Sequence, residues 1–394
     1  MKLIITTILN VRKETIQAAI LLDKGRILEV KSVPEEETLL GSVFVGKTEK
    51  VMKNLSAAFL SVSNTQNCYY SITERSRPIF IKKHPSDQIV QGDEFLVQVI
   101  RESVKTKLPA VSTNLSLTGR YLILTSENKK IGFSKKLSKT DKLHLQEEVL
   151  PQIKLPSYGM VFRTNSRGID SDIILKEYKS LNDQMDHIIK YGKNRTAHTK
   201  IYAGIPRILK ILQDSCYTDL EEIITDRSDL YNEIMSYTEQ YPDLSEIPVR
   251  FYQDSYPLTA LYNIDKQIED AISKRVWLKS GAYLIIEPTE ALTVIDINSG
   301  KNIRNKTTAD LFYQINVEAA IEIARQIRLR NITGIILVDF INMDDTEKAE
   351  RLIHIMKQAT YQDPQTVTVV DFTRLNLLEI TRQKKEKSLI DILT

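Results

Sequence analysis

The chain has 394 residues, 42% hydrophobic and 27% charged, with 13 glycines, 12 prolines and a net charge of +3. That balance describes a globular protein long enough for two or three domains and argues against disorder or long linkers. No run approaches the roughly 18 apolar residues of a membrane span, and Cys68 and Cys216, the only cysteines, form neither a disulfide framework nor a cysteine zinc motif.

The opening Met-Lys-Leu-Ile-Ile-Thr-Thr-Ile-Leu-Asn lacks a small-residue cleavage site and runs into Arg12, Lys13 and Glu14, so it reads as a strand rather than a secretion signal. With so few cysteines, a reducing cytoplasm is expected. Residues 3–10, 18–22 and 27–30 predict three strands. Short β runs at 42–47, 57–62, 94–101 and 108–112 then predict a small barrel. Within it Phe59, Tyr69 and Tyr70 interleave with Lys47, Arg101 and Lys107. Aromatic faces for bases and cations for phosphates suit single-stranded nucleic acid; the alternative is that these aromatics are core.

Residues 41–48, Gly-Ser-Val-Phe-Val-Gly-Lys-Thr, match the P-loop pattern letter for letter. A phosphate-cradling loop must be flexible and follow a buried strand. Val43, Phe44 and Val45 favour strand instead, and Glu35, Glu36 and Glu37 precede them. An ATPase is not expected.

Between 120 and 207 the pattern is mixed, with strands at 121–125 and 159–163 and helices at 139–148 and 171–191. Arg163 and Thr164 close the second strand. A guanidinium fork beside a hydroxyl makes a phosphate clamp; the alternative is an exposed arginine at a strand end. Basic residues gather at Lys105, Lys107, Lys129, Lys130, Lys135, Lys136, Lys139 and Lys142, and again at Lys190, Lys193, Arg195 and Lys200. Such a zone either faces a polyanion or is a solvated surface. Residues 208–272 read as helical and partly acidic.

The last portion carries the sharpest signal. Residues 291–300 read Ala-Leu-Thr-Val-Ile-Asp-Ile-Asn-Ser-Gly, and 334–340 read Gly-Ile-Ile-Leu-Val-Asp-Phe. The amphipathic pattern between them, at 308–330, is long enough for a βαβ crossover, which joins parallel strands. Asp296 and Asp339 are then expected at one sheet edge, the edge where open α/β sheets build their sites. Asn298 shares a face with Asp296. Two carboxylates and an amide converging there suit a hard cation such as Mg2+. For either aspartate alone, the alternative is a turn former or helix N-cap. A further strand at 366–372 and a basic segment at 382–387 complete the chain.

Glu290-Ala-Leu-Thr-Val-Ile-Asp-Ile-Asn-Ser, Asn316-Val-Glu-Ala-Ala, Ala324-Arg-Gln-Ile-Arg-Leu-Arg, Gly334-Ile-Ile-Leu-Val-Asp-Phe-Ile and Leu377-Leu-Glu-Ile-Thr-Arg-Gln closely resemble the catalytic core of the ribonuclease E/G family. Gly46-Lys47 and Ala57-Ala-Phe59 look like its OB-fold RNA-binding domain. The resemblance implies an α/β protein with an inserted β-barrel: a split RNase H-like subdomain at 1–38 and 208–272, an OB-fold barrel at 39–118, a 5′-sensor subdomain at 119–207 and a DNase I-like catalytic subdomain at 273–394. It further implies an endoribonuclease for single-stranded RNA, including rRNA precursors and mRNA, with Asp296 and Asp339 binding Mg2+ and Asn298 supporting them. Arg163 and Thr164, with Ile123 nearby, would hold the RNA 5′-monophosphate. Phe59, Tyr69 and Lys107 would grip bases near the cut. Two departures matter: Tyr69 stands where the family usually has phenylalanine, and the C-P-x-C-x-G zinc link expected beyond the catalytic domain is not found before Thr394. Any homodimer would therefore lack that link, and a compact, G-type enzyme is expected. The competing expectation is an RNA-binding protein of the same family with little or no cleavage activity.

Overall fold

The computed structural model describes residues 1–394 except 35–37, 74–76, 82–87, 104–106, 128, 154–155, 216–218, 301–308, 342–344 and 385. Lys105, Cys216 and the run Glu35, Glu36, Glu37 lie outside the described residues. The chain divides into two compact units, one of Met1–Glu35 with Tyr217–Thr394 and one of Glu36–Cys216.

The first unit opens with an antiparallel meander, β1 (Lys2–Leu9), β2 (Thr15–Asp23) and β3 (Arg26–Ser32). The chain then leaves to build the second unit. Here β4 (Val43–Met52), β5 (Ala57–Ser61), β6 (Asn67–Ser71), β7 (Glu94–Arg101) and β8 (Ala110–Ser112) follow the order β4-β5-β6-β8-β7. β7 pairs back onto β4, from Val43 opposite Gln98 to Lys47 opposite Glu94. Closure makes an OB-like five-stranded barrel. Phe44, Leu60, Tyr70, Phe95 and Val97 fill it, so Tyr70 is core rather than a base platform. The P-loop look-alike lies largely within β4. Its Gly46 is explained by packing, because a Cβ there would sit 2.9 Å from a methyl of Val97.

After the barrel, β9 (Ser116–Thr118), β10 (Leu122–Thr125), β11 (Ile131–Phe133) and β12 (Gly159–Phe162) form a small sheet in the order β11-β12-β10-β9. The helix Ser171–Gly192 packs against β10, β13 (Lys200–Tyr202) adds to β4, and the helix Arg207–Asp214 ends the unit.

Residues 208–272, expected to be helical, also supply two strands, a correction to that expectation. β14 (Glu222–Thr225) and β15 (Val249–Phe251) extend the opening meander in parallel, giving β15-β14-β1-β2-β3. The last sheet comprises β16 (Arg275–Trp277), β17 (Tyr283–Pro288), β18 (Leu292–Asn298), β19 (Gly334–Asp339), β20 (Val367–Phe372) and β21 (Leu377–Arg382), in the order β16-β17-β18-β19-β21-β20. β18 and β19 are parallel neighbours, and the helix Ala309–Leu329 lies between them in sequence.

Among the described residues, one face of this sheet is covered and the other is not. Ile295, Ile297, Ile336 and Val338 pack into a core with Ile315, Ala319 and Ile323 of the helix Ala309–Leu329 and Leu352 of the helix Thr346–Thr360. Each buried aliphatic side chain contributes roughly 1.5–3 kcal/mol, which fixes which face points inward. On the other face Val294, Ile335 and Val370 are exposed.

Arg382, expected in a basic segment, is instead a buried tie. Its guanidinium forks onto Asp363 at 2.9 and 3.1 Å. Among the described residues no helix is long and apolar enough to cross a membrane.

Candidate active site and nucleic-acid contacts

The strands β18 and β19 bring Asp296 directly opposite Asp339. Parallel neighbours lie about 4.8 Å apart, so the two carboxylates share one small patch. Alternation explains their direction: Thr293, Ile295 and Ile297 are buried, which turns Val294, Asp296 and Asn298 to the uncovered face. Asn298 Nδ2 donates to Asp296 Oδ2 at 2.7 Å, fixing that carboxylate. Partial desolvation, and behind it the Asp296 charge, push the Asp339 carboxyl above its ordinary range. A cation between them would relieve that repulsion. Among the described residues no group of three or more His, Cys, Asp or Glu side chains could enclose a metal. A cation held by two carboxylates would take its remaining coordination from water and substrate, an arrangement that Mg2+ tolerates.

Described segments near the pair are held by residues whose structural role the sequence did not disclose. Asn316 donates to the Ile341 carbonyl at 2.7 Å and accepts from its amide at 3.1 Å, anchoring the chain just beyond Asp339. A lone amide within the apolar stripe of the helix was the available signal. Glu318 accepts the amides of Lys279 and Ser280 at 2.6 and 3.3 Å. Beyond Asn298, Gly300 has φ 73° and its absent Cβ would lie 2.5 Å from the Gly281 carbonyl oxygen. Gly300→Ala should therefore destabilise this turn by about 1–3 kcal/mol. Gly281→Ala, at φ 85° with nothing within 4 Å of the added carbon, should cost less. Thermal melting of the two variants checks the order.

On the barrel, Phe59 of β5 faces Tyr69 of β6, with ring centroids 6.2 Å apart in an edge-to-face arrangement. Both are half-buried, alternating with the barrel core. Lys50 lies opposite Phe59 across β4 and β5 and is exposed. The sequence did not single it out, because a register shift after Thr48 decides which lysine meets the ring. Lys107 is exposed, three residues before Ala110, which pairs with Tyr69.

In the small sheet, Ile123 lies opposite Val161. Two residues on, the Arg163 amide donates to the Tyr121 carbonyl at 2.8 Å, so Arg163 emerges on the Ile123 side. Its guanidinium is already engaged: Nη1 reaches the Gly119 carbonyl at 2.6 Å and that of Gln213 at 3.3 Å, and Nη2 pairs with the Asp214 carboxylate. Asp214 was invisible as a partner from sequence, being 51 residues away. Thr164 Oγ1 lies 2.8 Å from Ser134 Oγ. Beneath this strand pair Glu177 accepts the amides of Arg120, Tyr121 and Leu122 at 2.6, 2.8 and 2.9 Å, holding the loop at Gly119 in place.

The chain thus combines register-paired carboxylates on one sheet with a closed barrel that carries half-buried aromatics on its outside. The description "Ribonuclease E/G family" belongs to a family model that matches residues 116–385. The chain is 25% identical over 383 residues to ribonuclease G of Escherichia coli (strain K12), covering 94% of this chain and 78% of that protein. It is 28% identical over 386 residues to ribonuclease G of Haemophilus influenzae, covering 95% and 78%. To ribonuclease E of Nostoc sp. it is 28% identical over 361 residues, covering 90% of this chain and 52% of that protein. The chain belongs to the ribonuclease E/G family.

Proposed function

We propose that the protein is a magnesium-dependent endoribonuclease that cleaves single-stranded RNA, rRNA precursors and mRNA among its substrates, in the cytoplasm. It favours 5′-monophosphorylated RNA and leaves 5′-phosphate and 3′-hydroxyl ends. Family membership makes it an RNA-cleaving enzyme; the pairing of Asp296 with Asp339 carries the finer reading. Bound Mg2+ would supply an activated water and charge stabilisation at the scissile phosphate. Asp296 and Asp339 hold the cation, and Asn298 orients Asp296 through its 2.7 Å hydrogen bond. Phe59 and Tyr69 offer ring surface to unpaired bases, with Lys50 and Lys107 for the backbone, which selects single strands over duplex.

The deciding experiment incubates the purified protein with a labelled single-stranded oligonucleotide, with and without Mg2+. Magnesium-dependent cleavage to 5′-phosphate ends is expected. Tight binding without cleavage at saturating Mg2+ would establish the RNA-binding alternative instead.

Arg163 and Thr164 form the proposed 5′-phosphate clamp, supported by their place at the end of β12 beside Ile123. A phosphate gripped there must displace or bridge Asp214. Charge-assisted contacts are worth roughly 1.5–3 kcal/mol, so Arg163→Ala should slow cleavage of 5′-monophosphorylated RNA by about tenfold to a hundredfold. A 5′-hydroxyl substrate should hardly respond. Equal slowing of both would assign Arg163 to tethering the Gly119 and Gln213 carbonyls.

A further inference from the structure

The uncovered face that carries the carboxylates also carries an aromatic cluster two strands away. Trp277 of β16 lies opposite Tyr283 of β17, which lies opposite Asn298 of β18. In the adjoining row, Arg275 lies opposite Ile285, which faces Asp296, which in turn faces Asp339. At about 4.8 Å per strand, Trp277 and Asn298 are about 10 Å apart along the sheet. The rings of Trp277 and Tyr283 are 5.1 Å apart. The Arg275 guanidinium stands 4.6 Å from the Tyr283 ring and 5.6 Å from that of Trp277. Among the described residues Arg275 makes no ion pair.

Trp277 is 64% exposed, whereas its neighbour Leu278 is buried. A core role is thus excluded for the indole, and an exposed ring of this size on an uncovered face marks a contact surface. We infer that Arg275, Trp277 and Tyr283 form a stacking platform for an unpaired base of the RNA, next to the cleavage site. The inference rests on the ribonuclease reading of Asp296 and Asp339. Aromatic faces accept any base, a guanidinium over the rings adds cation–π attraction, and its charge meets the phosphodiester. The shared row with the carboxylates favours a nucleic-acid strand over a protein occupant. A duplex, whose bases are already stacked, cannot use the platform.

Trp277 is the only tryptophan of the chain, so its emission reports on the platform without a label. Titration with a short single-stranded oligoribonucleotide in EDTA, which prevents metal-dependent cleavage, should quench that emission saturably. The same sequence as a duplex, and inorganic polyphosphate, should leave it unchanged. In parallel, anisotropy of a labelled oligonucleotide should show that Trp277→Ala binds about fivefold to a hundredfold more weakly, and that Trp277→Phe restores most of the loss. Full-strength binding and cleavage by Trp277→Ala, or a silent indole while RNA binds, would overturn the platform and leave the ribonuclease reading intact. Emission that shifts with protein concentration but not with RNA would overturn it in favour of a second copy covering this face. Absence of both binding and cleavage would overturn the platform and the ribonuclease reading together.

Discussion

Replacing Asp296 or Asp339 with asparagine should abolish cleavage while leaving RNA binding nearly intact. The amide preserves shape and the strand register, but removes one of the two charges proposed to hold the cation. Single electrostatic groups at reacting centres are worth about 10²–10³ in rate, and loss of a metal ligand belongs at or beyond the upper end. The same substitutions should not destabilise the fold, because partial desolvation and, behind it, repulsion between the pair already penalise the charged form of Asp339. Single-turnover rates at saturating Mg2+, together with melting curves, separate the two effects. A variant that cleaves near the wild-type rate would remove these aspartates from the active site.

Glu29→Gln should destabilise the unit built from Met1–Glu35 and Tyr217–Thr394 by about 3–5 kcal/mol, as expected when one partner of a buried ion pair is lost. Glu29 accepts from Arg328 Nη2 at 3.0 Å, and Lys31 Nζ lies 3.0 Å from its other oxygen. Burial alone would push this carboxyl up. The charges of Lys31 and Arg328 outweigh burial and bring it down from 4.5 to about 2. The folded state therefore holds this proton less tightly than the unfolded chain. Its contribution is fully present above the unfolded value of 4.5 and is lost as the pH falls through about 2. A shift of this size corresponds to about 3 kcal/mol. Urea unfolding followed by Trp277 emission, between about pH 6 and pH 3, should show the gap between wild type and variant narrowing as pH falls. A gap independent of pH would mean that Glu29 acts through packing.

The carboxylate pair was legible because a βαβ crossover leaves little freedom: two apolar strands ending in aspartate, joined by a long amphipathic helix, must place those ends side by side. The barrel was legible from the spacing of its short strands, and its closure explains why a P-loop pattern can be written in strand residues. β14 and β15 escaped because Glu-Ile-Ile-Thr and Val-Arg-Phe are too short to show a period among helices. Their strand character comes from the meander they extend. Arg382 and Asp363, 19 residues apart, could not be matched from sequence, since a buried pair and two surface charges look alike in one dimension. The aromatic cluster on β16 and β17 was missed for a related reason. Its members are paired by register across a hairpin, and no local motif encodes register.

The central pairing of the opening sheet joins Lys2 to Glu222, a separation of 220 residues. During synthesis at roughly 5–20 residues per second, β1 therefore emerges about ten to forty seconds before its parallel partner β14. In that interval the β1 edge of the meander is unpaired, lined by Leu3, Ile4 and Ile5, which are all buried in the finished fold. The barrel and small sheet can fold on their own local contacts meanwhile, since their pairings fall within Glu36–Cys216. The cost of bringing the two ends together rises only logarithmically with loop length, so the insertion weighs on kinetics far more than on final stability. A ribosome stalled before codon 222 would display an apolar edge strand, the form of nascent chain most prone to pair with a neighbour.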